Sequence, residues 1–133
     1  MLWMSREVCV MSGTKILIDT NIAISLFKGD DRLGALLQDR EAYVSFVSEL
    51  ELLGYHAISI EEESWVEMFL DECNIIDINA GIKELTTYVR RQYNFKLPDA
   101  IIAATSIFLG VPLLSTDGNF DRVKELIFIF YQS

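Results

Sequence analysis

Five short runs of β-forming residues, separated by stretches of helical periodicity, constrain this chain more than any other feature. They are Ile16–Ile18, "AYVS" at 42–45, "NIIDI" at 74–78, "VPLLST" at 111–116 and "IFIFY" at 127–131. A strand covered on both faces reads as a near-continuous apolar run, whereas a half-exposed strand alternates. Between these runs, residues 21–27, 31–39, 48–55, 59–71, 80–93 and 98–110 read as helices. Ser59 with Glu62 matches a capping box, and Trp65, Met68 and Phe69 are expected on the apolar side of the helix it opens. In the 80–93 helix Ile82, Leu85, Tyr88 and Val89 are expected to face inward, and Gly110 closes the helix that Pro98 opens. Buried strands separated by helices imply parallel βαβ units and a sheet covered on both faces. The fold class is α/β.

At 133 residues, 51% of them hydrophobic, the chain can bury one sizeable core and not two. Its longest apolar runs fall well short of the roughly 20 residues that cross a bilayer, so no membrane association is expected. The first residues, "MLWMSREVCVMSGTK", lack the basic and apolar regions of a signal peptide, and residues 1–14 read as an extension, a start-site remnant or an added edge element. Cys9 and Cys73 are isolated in the sequence, as reduced thiols of a cytoplasmic protein would be. His56 is the one histidine, which excludes a histidine metal cluster, and it reads as a helix-end or surface residue. The formal net charge of −9 argues against a passive basic nucleic-acid binder. It leaves open an enzyme whose acids hold metal, or a protein with a basic partner.

The acids fall at telling places. In open α/β sheets ligands bind beyond the carboxyl ends of the strands. Asp19 ends the first strand, Glu49 and Glu51 follow the second, Asp117 follows "PLLS", and Asp99 opens the helix leading into that strand. Each has an ordinary role available: Asp19 as a helix cap, Glu51 as the partner of Ser48 in a capping box, Asp99 as a helix-dipole partner, Asp117 as a turn former. Four carboxylates on one rim nevertheless repel one another, and such a cluster must bind a proton, a base or a cation. The chemistry that needs it is divalent-metal catalysis, because Mg²⁺ and Mn²⁺ prefer oxygen ligands and retain waters that can attack a phosphodiester.

"ILIDTN", the Ser48-Glu-Leu-Glu-Leu-Leu helix start, "KLPDAIIAAT" and "LLSTDGNFDRV" together resemble the four acidic motifs of PIN-domain proteins, most closely VapC-type toxins of prokaryotic toxin–antitoxin pairs. The resemblance covers residues 15–133, which would form a single PIN-like domain. It implies a Mg²⁺- or Mn²⁺-dependent endoribonuclease, a VapB-like antitoxin that inhibits it, and a homodimer. Carried over residue by residue, Asp19, Asp99 and Asp117 match three of the metal-binding acids. For the second motif, Glu51 matches better than Glu49. The two lie about 200° apart on a helix and cannot serve one metal equally. Asn21 and Ser115 match supporting polar positions, and Asp121 is a candidate outer-sphere acid. Arg90, Arg91 and Lys96 are the nearest cations available to hold RNA. The expected strand order is 3-2-1-4-5.

Two other phosphate-handling classes fail on particular residues. A haloacid-dehalogenase-like phosphatase needs a second Asp where Asn21 stands, and a neutral amide cannot serve as its acid/base. A receiver domain needs a Lys after the fifth strand, and Tyr131, Gln132 and Ser133 supply none, although Asp77 could imitate its phosphoacceptor. The alternative outside enzymes is a catalytically silent PIN-like scaffold that binds a partner.

Overall fold

Ile16 and Ile18 of strand β1 (Lys15–Ile18) pack on one side of the sheet and Leu17 on the other, so the alternation of a strand survives inside an all-apolar run. The computed structural model describes residues 14–55 and 59–132. After β1 come α1 (Thr20–Phe27), α2 (Asp31–Leu37), β2 (Glu41–Ser45), α3 (Phe46–Leu53) and α4 (Ile60–Glu72). They are followed by β3 (Asn74–Ile76), α5 (Ala80–Tyr93), α6 (Leu97–Leu109), β4 (Leu113–Ser115), a 3₁₀ turn (Gly118–Arg122) and β5 (Phe128–Phe130). All pairings are parallel and the order is β3-β2-β1-β4-β5, as expected.

The sheet separates two cores. One gathers Ile16, Ile18, Ala42, Val44 and Leu114 from the strands with Ile22, Leu26, Leu33, Val66 and Phe69 from α1, α2 and α4. The other gathers Leu17 and Leu113 with Val89, Ala100, Ile102, Ala103 and Phe120 from α5, α6 and the 3₁₀ turn. Each fully buried Leu, Ile or Phe contributes roughly 1.5–3 kcal/mol by leaving water. β1 is central because its neighbours come from both halves of the chain. Its register, Leu17 beside Tyr43 and Leu113, sets the carboxyl ends of β1, β2 and β4 level.

The helix caps differ in places from the expectation. The Ser59–Glu62 capping box forms, with bonds of 2.9 and 3.1 Å. The Ser48–Glu51 box does not. α3 begins two residues earlier than expected, Ser45 caps it by accepting from the Val47 amide, and Ser48 is buried inside the helix. Met68 and Tyr88 face outward, and their expected inward places are taken by Leu70 and Thr86. The rest of each expected stripe stands: Phe69, Ile82 and Val89 are buried, and Trp65 and Leu85 pack half-buried against the cores. The expected strands at 74–78, 111–116 and 127–131 shrink to three residues each, because flanking residues leave the ladder for loops and caps. Cys73 is buried at the end of α4. Cys9, His56 and the extension up to Gly13 lie outside the described residues.

Candidate active site

Asp19 is the first residue past β1, and only 6% of it is exposed. Its Oδ1 accepts from the Thr20 amide at 2.7 Å, capping α1, and its Oδ2 accepts from the Ser115 hydroxyl at 2.7 Å. Burial raises its pKa above 3.8, an effect opposed by those two hydrogen bonds and reinforced by the charges of Asp99 and Glu51. The helix-cap role and the rim position therefore coexist in one residue. Ser115 is fully buried at the end of β4. While donating to Asp19 it accepts from the Asp117 amide at 3.0 Å, so it links two of the acids.

Asp117 caps the 3₁₀ turn, its Oδ1 accepting from the Asn119 amide at 2.9 Å. Asp99 sits half-buried in the first turn of α6, after Pro98. Its pKa is also raised, first by desolvation, then by the charges of Asp117 and Glu51, against a smaller opposing pull from Lys96. Glu51 projects from α3, and its Oε1 lies 2.5 Å from the Thr20 hydroxyl oxygen. That same oxygen lies 2.8 Å from the Ser48 hydroxyl. Thr20 has one hydroxyl proton and an ionised carboxylate can only accept, so Thr20 donates to Glu51 and Ser48 donates to Thr20.

Asp19, Thr20, Asn21, Ile24, Glu51, Gly54, Tyr55, Asp99 and Asp117 line one open cavity of about 440 Å³. All four expected acids are thus brought to the same place, together with Asn21. Glu49, in the first turn of α3, does not line it, as the helical angle between the two glutamates requires. Asp121 is exposed in the 3₁₀ turn and does not line it either. Arg90 and Arg91 line a separate cavity of about 320 Å³. Thr20 and Ser48 were not singled out as site residues by the motif reading. The signal available for Thr20 was its place between Asp19 and Asn21, but its partners lie 28 and 31 residues away.

The donor set fits a hard divalent cation: every candidate ligand is a carboxylate, and two of the four have raised pKa values that a cation would oppose. Among the described residues no three His, Cys, Asp or Glu side chains already converge as a metal cage. The acids instead surround an open space, as suits an ion that keeps several waters.

Residues 16–126 match the family model of the PIN domain. The chain is a PIN-domain protein. This PIN domain is similar in structure to a chain of a toxin–antitoxin complex from Klebsiella pneumoniae, at 30% identity and a TM-score of 0.73, over 84% of this chain and 94% of that one. It is similar in fold to a chain of VapBC2 from Rickettsia felis bound to a promoter DNA fragment, at 18% identity and a TM-score of 0.76, over 89% and 99% of the two chains. The same holds for a chain of VapBC-5 from Mycobacterium tuberculosis, at 17% identity and a TM-score of 0.68, over 89% and 99%. Comparison with curated protein sequences gave no significant match. Among the described residues of the PIN domain no helix is long and apolar enough to cross a membrane.

Proposed function

We propose that this PIN domain is a VapC-type toxin, a Mg²⁺- or Mn²⁺-dependent endoribonuclease held inactive by a VapB-like antitoxin. The observation that carries the reading is the convergence of Asp19, Glu51, Asp99 and Asp117 on one cavity at the carboxyl ends of β1, β2 and β4. The toxin–antitoxin complexes among its structural neighbours support the partner. A homodimer and a cytoplasmic location belong to the same reading.

Asp19, Glu51, Asp99 and Asp117 would hold the cation, which when bound supplies an acidified water and charge stabilisation for phosphodiester hydrolysis. The protein's own contribution is positional. Ser115 holds the Asp19 carboxylate and the Asp117 backbone in fixed relation, and the Ser48–Thr20 chain holds the Glu51 carboxylate. Burial of Asp19 keeps its charge from being screened by water and so strengthens its pull on a cation. Asn21, a neutral neighbour on the cavity wall, adds a polar group without adding to the repulsion.

The test is incubation of the purified protein with total RNA and Mn²⁺ or Mg²⁺, with and without EDTA, beside Asp19→Asn. Cleavage that EDTA abolishes and Asp19→Asn reduces at least about 100-fold is expected, on the scale of losing a group that stabilises charge in the transition state. Equal cleavage by wild type and mutant would sink the proposal. No cleavage of RNA by either protein, with Mn²⁺ binding retained, would favour the silent scaffold.

A further inference from the structure

Five of the chain's eleven cationic residues, Arg90, Arg91, Lys96, Arg122 and Lys124, fall in two short segments, 90–96 and 122–124. In a chain of net charge −9 that concentration is unexpected, and the fold brings the two segments together. Phe95 packs against Phe120 with ring centroids 5.6 Å apart, and the Arg122 guanidinium lies over the Phe95 ring at 4.9 Å. The Lys124 amide donates to the Tyr93 hydroxyl at 3.3 Å. The Arg122 Nε also donates to Asn119 Oδ1 at 2.7 Å, which fixes the plane of the guanidinium. Glu125, which would otherwise compete for these cations, is engaged elsewhere: Oε2 accepts from the Tyr88 hydroxyl and Oε1 from Tyr93 at 2.7 Å. Asp121 is the exposed acid remaining in the turn.

Both segments lead directly into the acidic cavity. Lys96 immediately precedes α6 and is close enough to Asp99 to stabilise its charge. Arg122 ends the 3₁₀ turn that Asp117 begins. The second cavity is lined by Thr87, Arg90, Arg91, Asn94 and Phe95, and in the chain Phe95 is followed by Lys96 and, three residues on, by Asp99 of the first cavity. Exposed guanidinium groups beside amide and hydroxyl side chains, one of them held in place as Arg122 is, are suited to phosphodiester oxygens, and a second phosphate contact raises affinity without base specificity.

We propose that Arg90, Arg91 and Arg122, with Asn94 and Thr87, form a cationic shelf that grips the phosphate backbone of single-stranded RNA and feeds it across Lys96 to the acidic cavity. The inference deepens the ribonuclease reading and rests on it for the direction of the strand. The shelf also explains how a strongly acidic protein could hold a polyanion: attraction is confined to one approach, and the rest of the surface repels.

Binding of a fluorescein-labelled single-stranded RNA 12-mer of mixed sequence is followed by anisotropy in EDTA, so that cleavage cannot occur, across a range of salt concentrations. The full chain is compared with Arg90→Ala/Arg91→Ala, with Arg122→Ala, with Arg90→Lys/Arg91→Lys and with the control Lys83→Ala, each checked by thermal melt. Each phosphate contact contributes about 0.7 to the slope of log affinity against log salt on single strands. The double alanine variant should therefore lose about 1.4 of that slope and bind about tenfold more weakly. Arg122→Ala should lose about 0.7, the lysine pair should keep most of the slope, and Lys83→Ala should match wild type.

Equal slopes in wild type and both alanine variants overturn the shelf, as does an absence of RNA binding by wild type at low salt. Displacement of the RNA by polyglutamate as effective as displacement by unlabelled RNA would reassign the shelf to an acidic protein surface and overturn it too. The two proposals fail separately. Metal-dependent cleavage undiminished in the double alanine variant removes the shelf and leaves the nuclease, whereas arginine-dependent binding with no cleavage leaves the shelf and removes the nuclease.

Discussion

Ser115 donates a hydrogen bond of 2.7 Å to the Asp19 carboxylate across 96 residues of sequence, and both residues are buried. The bond joins the ends of the two adjacent strands β1 and β4. Ser115→Ala removes a donor from a buried carboxylate and an acceptor from the Asp117 amide. It should cost about 1–3 kcal/mol, seen as a lower melting temperature in EDTA at neutral pH. It should also weaken Mn²⁺ binding, because Asp19 then holds its proton more tightly. A melting temperature equal to wild type would show that the bond does not support the fold.

The raised pKa values of Asp19 and Asp99 give the metal-free protein an unusual pH response. A carboxyl group whose pKa is higher folded than unfolded adds stability below its unfolded value, and that stability is lost as pH rises through the folded value. Acidification from neutral pH through the raised folded values should therefore raise the melting temperature in EDTA. The lowered carboxyl groups, Asp30 and Glu125, oppose this only lower down, as pH falls below their ordinary values of 3.8 and 4.5. The double variant Asp19→Asn/Asp99→Asn should flatten that response. An unchanged response in that variant would place its origin elsewhere.

The two glutamates of α3 should separate cleanly. At saturating Mn²⁺ the rise in unfolding free energy depends on the ratio of ion concentration to Kd. If Glu51→Gln weakens binding tenfold, the rise falls by about 1.4 kcal/mol at the same concentration. Glu49→Gln should leave it unchanged. The reverse pattern would move the second-motif acid to Glu49.

Thr20→Val tests the support of Glu51 without altering side-chain shape greatly. Loss of the hydroxyl removes the proton that Glu51 accepts and leaves the buried Ser48 hydroxyl without its partner. Mn²⁺ affinity should fall by about three- to tenfold, in line with the loss of a group that orients a ligand, and stability by about 1 kcal/mol. Ser48→Ala/Thr20→Val should be no less stable than Thr20→Val alone, since both polar partners are then gone. Calorimetric titration and thermal melts read the two effects apart.

The sheet was legible because its evidence is local. Ile16–Ile18 could only be a buried strand, and parallel βαβ winding brings the residues after such strands to one edge. The same logic brings Asp19, one glutamate after the second strand and Asp117 to one rim, whereas Asp99 and the choice of Glu51 over Glu49 rest on the motif resemblance, and all four acids line the cavity. Side-chain hydrogen bonding between distant segments was not legible. Ser48 fits a capping box by spacing, yet Ser45 takes the cap, because the chain turns into α3 directly from β2. Thr20 carried no motif of its own. Periodicity puts Met68 and Tyr88 inward, yet both are exposed while Leu70 and Thr86 are buried. The functional roles of the acids remain a proposal that the metal and RNA experiments decide.

The central position of β1 has a consequence for the life of the polypeptide. Strands β2 and β3 can assemble beside β1 while the chain is still being made, but Asp117 and the Ser115 tether arrive only with β4, on the opposite flank of β1. Long-range pairing of that kind forms late, after the entropy of closing a large loop has been overcome. A nascent chain would then be inert through most of its synthesis and acquire its acidic cavity in one late event.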